Sequence, residues 1–189
     1  MARLLSDLKY IVAACLFCVA LTLPVVAQEA DLTDEAELLA RLAESDPAEA
    51  LRLDRQLQAI WSRSGSPAMD LLLTRARDAI EAGETQVAIE HLTALTDHAP
   101  DFAEGWHARA SAYYSVNLFG PAVADLERAL ALNPNNYNAI FGLGSILEAF
   151  GDPEGAHEAY LRVQALHPHH EQVTQALERL RPRIEGTSL

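Results

Sequence analysis

AEGWHARASAYYSVNLFGPAVADLERALALNPNN, residues 103–136, decides the fold of this chain. Trp106, Ala110 and Tyr113 recur at helical spacing and mark one face of a first helix. Ala122, Leu126 and Ala129 mark one face of a second. The small side chains of Ala110 and Ala122 let the two helices approach closely. Asn117 stands between them, a residue type that tolerates the left-handed backbone with which helices end. Asn133-Pro134-Asn135-Asn136 then closes the second helix, because proline lacks an amide donor and clashes with the preceding turn.

The same pattern repeats on both sides at an interval of 34 residues, in Pro100, Pro134 and Pro168. Ala88, Ala122 and Ala156 keep that register, as do Leu72, Trp106 and Ile140. So do Ala76, Ala110 and Gly144, and the helix-ending set Gly83, Asn117 and Gly151. A sustained period of this length is the signature of a solenoid, whose units cannot bury their faces alone and need caps. Val173, Ala176, Leu177, Leu180 and Ile184 form an apolar stripe for a C-terminal capping helix, which Pro182 is expected to end or kink. Asp34–Glu44 reads as one N-terminal helix. Asp46-Pro47 opens a second, with Leu51, Leu53, Leu57, Ile60 and Trp61 as its apolar face. Residues 28–33 read as a flexible leader.

Residues 103–136 closely resemble a tetratricopeptide repeat, through Trp106, Ala110, Tyr113, Ala122, Leu126, Ala129 and Pro134. Residues 137–170 match through Ile140, Leu143, Gly144, Leu147, Ala156, Tyr160, Val163 and Pro168, and 69–102 match less fully. Arg75 and Arg109 depart from the pattern, standing where a large apolar residue is commoner; each is expected to lay its stem on the core with its head outside. The resemblance implies an all-α, right-handed solenoid of antiparallel helix pairs. The expected organisation is a signal peptide (1–27), a leader with an N-terminal helical hairpin cap (28–68), three units (69–102, 103–136, 137–170), and a capping helix with tail (171–189).

The start of the chain has the three-part plan of a secretory signal: Arg3 and Lys9, an uncharged run from Ile11 to Leu23, then Pro24-Val25-Val26-Ala27. Cleavage is expected after Ala27, giving a periplasmic or secreted protein; an uncleaved anchor is the alternative. Both cysteines, Cys15 and Cys18, lie in that segment, so the remainder has no thiol or disulfide. The formal charge of −13 repels nucleic-acid phosphates and anionic lipid, which argues against both as partners.

The resemblance further implies a groove lined by the first helix of each unit and occupied by a protein or peptide. In this sequence the candidate lining residues are Asp70, Leu73, Arg77, Ile80 and Glu81 in the first unit. The second unit offers Glu104, His107, Ser111 and Tyr114, and the third Asn138, Phe141, Ser145 and Glu148. Leu73, Ile80, Tyr114 and Phe141 suggest an apolar strip flanked by acids, suited to a basic peptide with apolar anchors. Self-association is the first alternative. Weak metal or small-ligand binding is the second, drawn from His167, His169 and His170, which are otherwise read as solvated on a turn. No cofactor is implied. Ser111 and His107 lie four residues apart near Asp101 and Glu104, yet no phosphate loop, paired-cysteine box or nucleophile turn accompanies them, and a non-catalytic role is expected.

Overall fold

The computed structural model describes residues 23–186, with side chains from Asp34 to Glu185. Most of the expected signal segment, residues 1–22, and residues 187–189 lie outside the described residues. By backbone contacts the chain divides into residues 1–38 and 39–189. Apart from the start of the first helix, the features below belong to the second part. Among the described residues the secondary structure is entirely helical: α1 (Leu23–Glu44), α2 (Pro47–Trp61), α3 (Pro67–Glu81), α4 (Thr85–His98), α5 (Ala103–Ser115), α6 (Phe119–Leu132), α7 (Tyr137–Ala149), α8 (Pro153–Leu166) and α9 (Glu171–Gly186). The pairs α3/α4, α5/α6 and α7/α8 are the three repeats, and α9 packs on α8.

The repeat register is written in the backbone. Ala99, Asn133 and His167 each precede a repeat proline, and their φ values of −131°, −131° and −139° keep them out of the helical region, as a following proline requires. At the other turn, Gly83, Asn117 and Gly151 have φ of 78°, 60° and 80°. The amide three residues past each helix then reaches back: Glu84 N–H to Ala79 O at 2.8 Å, Leu118 to Tyr113 at 2.9 Å, and Asp152 to Leu147 at 3.0 Å. Adjacent repeats are also tied across their proline turns. The Arg128 guanidinium donates to the Pro100 carbonyl at 3.2 Å, and Arg162 donates to the equivalent carbonyl of Pro134.

Within each pair, small residues set the helix separation. Ala76, Ala88, Ala110, Ala122 and Ala156 are all but fully buried. Gly144 replaces alanine in the third unit for a visible reason. A Cβ there would lie 2.7 Å from the Tyr160 ring, and Tyr160 stands where the other two units have Leu92 and Leu126. Glycine thus makes room for the larger partner. Gly144→Ala is therefore expected to lower stability by about 1–3 kcal/mol through overpacking. Tyr160→Leu combined with Gly144→Ala should restore much of it, and urea unfolding of both variants checks this.

Four expectations need correction. Helix α1 begins at Leu23 rather than Asp34, so residues 28–33 are helical; Pro24 falls in the first turn, where its missing amide has no partner to lose. Leu51 is 60% exposed, and Ala50 joins Leu53, Leu57 and Trp61 on the buried face of α2. Pro182 lies inside α9, which continues to Gly186; the proline is exposed and close to the helix end. The Arg109 head is not outside but folded onto buried Asp125, with side chains 12% and 7% exposed.

The N-terminal helices reach far along the sequence. The fully buried Tyr137, first residue of α7, donates its hydroxyl to Asp54 of α2 at 2.6 Å. Trp61 packs on the same ring at a centroid distance of 5.0 Å. His169 Nε2–H donates to the Ser45 carbonyl at 2.8 Å. Asp46 caps α2 by accepting from Ala48 and Glu49 amides, which fixes where this helix starts.

Candidate partner-binding groove

Side chains from α5 and α7 enclose a cavity of about 240 Å³. It brings together six of the expected lining residues: His107, Ser111, Tyr114, Asn138, Phe141 and Ser145. Leu126, Gly142 and Ile146 complete its apolar floor. The volume is about that of eight waters at ~30 Å³ each, enough for one large apolar side chain. A second depression continues from Tyr114, Phe141 and Ser145 past Glu148 to Gln172, Gln175, Arg179 and Arg183 of α9. The contribution of α9 was not foreseen. A signal for it existed, because Gln172, Gln175 and Arg179 lie one repeat interval on from Asn138, Phe141 and Ser145.

The remaining expected residues are elsewhere. Leu73 is 1% exposed and belongs to the core, because Ala108 and Ala112 of α5 are small enough to let it sink between the helices. Asp70 accepts from the Ser64 amide and hydroxyl at 2.8 and 2.6 Å, which closes the loop before α3. Arg77 reaches Ser62 and Glu104. Ile80 is 42% exposed and Glu81 is exposed, both outside the cavity lining. Glu104 is not a free flanking acid: it is buried between Arg77 at 2.8 Å and His107 Nδ1 at 3.0 Å. Nor is Glu148, which holds Arg179 through two oxygens at 2.9 and 2.8 Å and accepts from the Tyr160 hydroxyl. The acidic flank expected around the groove is therefore largely consumed internally. The Ser111 hydroxyl donates to the His107 carbonyl at 3.1 Å, so it is turned to the backbone.

The histidine turn is packed, not solvated. His167 is buried and sits edge-on to Tyr137 at 5.3 Å, while His170 lies against Phe141 at 5.3 Å. Neither Nδ1 has a hydrogen-bond partner among the described residues. Among the described residues no three His, Cys, Asp or Glu side chains form a metal-holding group, and no helix is long and apolar enough to cross a membrane.

These surroundings give stability a defined pH dependence. Burial opposes ionisation of Glu104, but His107 and Arg77 outweigh it and hold the carboxyl below its usual 4.5. The hydrogen bond from Arg179 does the same for Glu148. Burial lowers His167 and His170 below their usual 6.5, partly offset by Asp54. In all four cases the folded chain binds fewer protons than the unfolded chain between the two pKa values, so stability rises with pH there and is lost on acidification. The histidine contribution is lost as pH drops below 6.5, and the glutamate contribution as it drops below 4.5. The urea midpoint should decline in two stages on acidification, the lower one reduced in Glu104→Gln. A midpoint that stays flat through both intervals contradicts the assignment.

A tetratricopeptide repeat family profile matches residues 73–117 and 107–171, together more than half of the chain. The chain belongs to the tetratricopeptide repeat family. It is 26% identical over 143 residues to a TPR repeat-containing protein of Rhizobium etli, covering 76% of this chain and 70% of that one. Its fold is similar to the first TPR domain of Spaghetti (RPAP3) bound to an HSP90 peptide, with a TM-score of 0.60, 26% identity, and 62% and 93% of the two chains covered. It is also similar to the Sgt2 TPR domain of Aspergillus fumigatus, with a TM-score of 0.58, 26% identity, and 65% and 82% covered. TPR domains typically mediate protein–protein interaction, and the α5/α7 cavity of this TPR chain lies on the first helices of its second and third units.

Proposed function

We propose that this protein is a non-catalytic scaffold that binds a peptide segment of another protein in the α5/α7 groove, and that it does so outside the cytoplasm after cleavage at Ala27. The carrying observation is the side-chain-sized cavity with an apolar floor of Leu126, Phe141 and Ile146 and a polar rim of His107, Ser111, Asn138 and Ser145. An apolar anchor fills the floor, while the rim's donors and acceptors meet the peptide backbone. The peptide bound to the Spaghetti domain supports this reading. The sequence of residues 1–27 supports the export step.

Two measurements test it. Ser111 is exposed on the rim, so Ser111→Arg obstructs the cavity without touching the core. Affinity capture from the native cell envelope should recover a partner with the unaltered chain and lose it with Ser111→Arg at unchanged melting temperature. Equal recovery by both sinks the groove reading. N-terminal sequencing of the protein from its host should begin at Gln28; retention of Met1 sinks the cleavage reading and leaves the uncleaved anchor.

A further inference from the structure

We propose that the turn edge of the second and third repeats is a separate docking surface, fitted to a partner segment that carries aromatic or aliphatic side chains flanked by lysine or arginine. The edge is built from the turns between the helices of each pair. Tyr114, Phe119 and Phe150 form a continuous ladder along it, with edge-to-face centroid distances of 5.6 and 5.4 Å. Phe119 is half-buried and packs under the second and third units, which holds the ladder in place. Its two ends are open to solvent, Phe150 at 68% and Tyr114 at 41%, and the turn before Phe119 adds exposed Val116 and Leu118. Single exposed apolar residues are ordinary, but a contiguous set of large ones marks an interaction site. An edge-to-face aromatic array that is already ordered also loses little freedom when it is covered.

The charges around the ladder select the occupant. The turn segments 81–85, 115–119 and 149–154 contain no lysine or arginine. Their charged residues are Glu81, Glu84, Asp152 and Glu154, and all four are exposed. On the groove side, Arg179 and Arg183 line the depression that Tyr114 also borders, and Arg179 is already held by Glu148. The edge is thus an apolar ridge with an acidic margin. A second copy would bring the same acidic margins together, and a phosphate-bearing surface is repelled in the same way. A basic segment with apolar anchors is attracted by the margin and buries the ridge. The edge meets the groove at Tyr114, but Val116, Leu118, Phe119 and Phe150 line neither groove depression, so Phe150 tests the edge apart from the groove.

The test uses the full chain and three synthetic peptides read by fluorescence anisotropy. One has Leu, Phe and Trp anchors flanked by Lys and Arg. The second has the same anchors flanked by Glu, and the third has the basic flanks with serine anchors. The first should bind, with affinity that falls as salt rises, and the other two should not. Phe150→Ser should weaken the first by about tenfold or more, the range of an exposed aromatic anchor, at unchanged melting temperature. Ser111→Arg should leave it unchanged, and Glu84→Lys with Glu154→Lys should turn the preference towards the Glu-flanked peptide. Equal binding of the first two peptides, or no effect of Phe150→Ser, overturns the proposal. So does a dimer in sedimentation that Phe150→Ser converts to monomer, since the occupant is then a second copy.

Discussion

Asp125→Ala is expected to lower the unfolding free energy by about 3–5 kcal/mol, the range for removing one partner of a buried ion pair. The loss comes from what is left behind. Arg109 donates to Asp125 through Nε at 2.7 Å and through a terminal nitrogen at 2.8 Å. A further nitrogen donates to Thr96 at 2.7 Å, and the guanidinium lies 4.9 Å from the Trp106 ring centroid. An arginine side chain keeps its proton at any working pH, so the cation cannot escape by neutralising itself. Without the carboxylate it is stranded between α4, α5 and α6. Asp125→Asn, which keeps one acceptor, should fall between. Replacing both residues by leucine should come close to the parent, because an apolar pair of similar volume avoids the desolvation penalty. A loss below about 1 kcal/mol for Asp125→Ala in urea unfolding means that water screens the pair as at a surface.

The second large effect is expected at Tyr137. Its ring is fully buried among Trp61, His167 and His170, and its hydroxyl holds Asp54. Tyr137→Ala removes a large aromatic side chain from the core and should lower stability by about 3–5 kcal/mol. Tyr137→Phe keeps the ring and removes the donor, with an expected loss of about 1–3 kcal/mol. The low end applies if water replaces the hydroxyl, since Asp54 is half-buried rather than buried. Hydrogen exchange adds a local reading. Amides of α2 should lose protection in Tyr137→Ala more than those of α3 and α4, and an unchanged α2 shows that something else holds this helix.

These two sites mark where the sequence stops being readable. The repeat was legible because its signals are local: prolines, small residues and left-handed turns each act within a few positions, and each recurs three times. Arg109 was visible as an anomaly, but its partner was not, because Asp125 lies on another helix and looks like any surface acid in the sequence. Leu73 shares the register of His107 and Phe141, both in the cavity, yet only Leu73 faces small neighbours it can sink between. Glu104 and Glu148 read as free charge because their partners, Arg77 and Arg179, lie 27 and 31 residues away. Pairings of that range depend on the superhelical geometry, not on spacing along one helix.

The bond between Asp54 and Tyr137 spans 83 residues, and it changes how the molecule comes apart. A plain repeat array interacts only between neighbours, so it can fray inward from either end one unit at a time. Here α2 clasps the start of the third unit, and the first two units lie inside the resulting chain loop. Fraying from the N-terminal side must first open that clasp, which also loosens the middle of the array. Residues 39–189 should therefore melt as one body, and fold more slowly than a repeat array of that length that lacks such a long-distance tie.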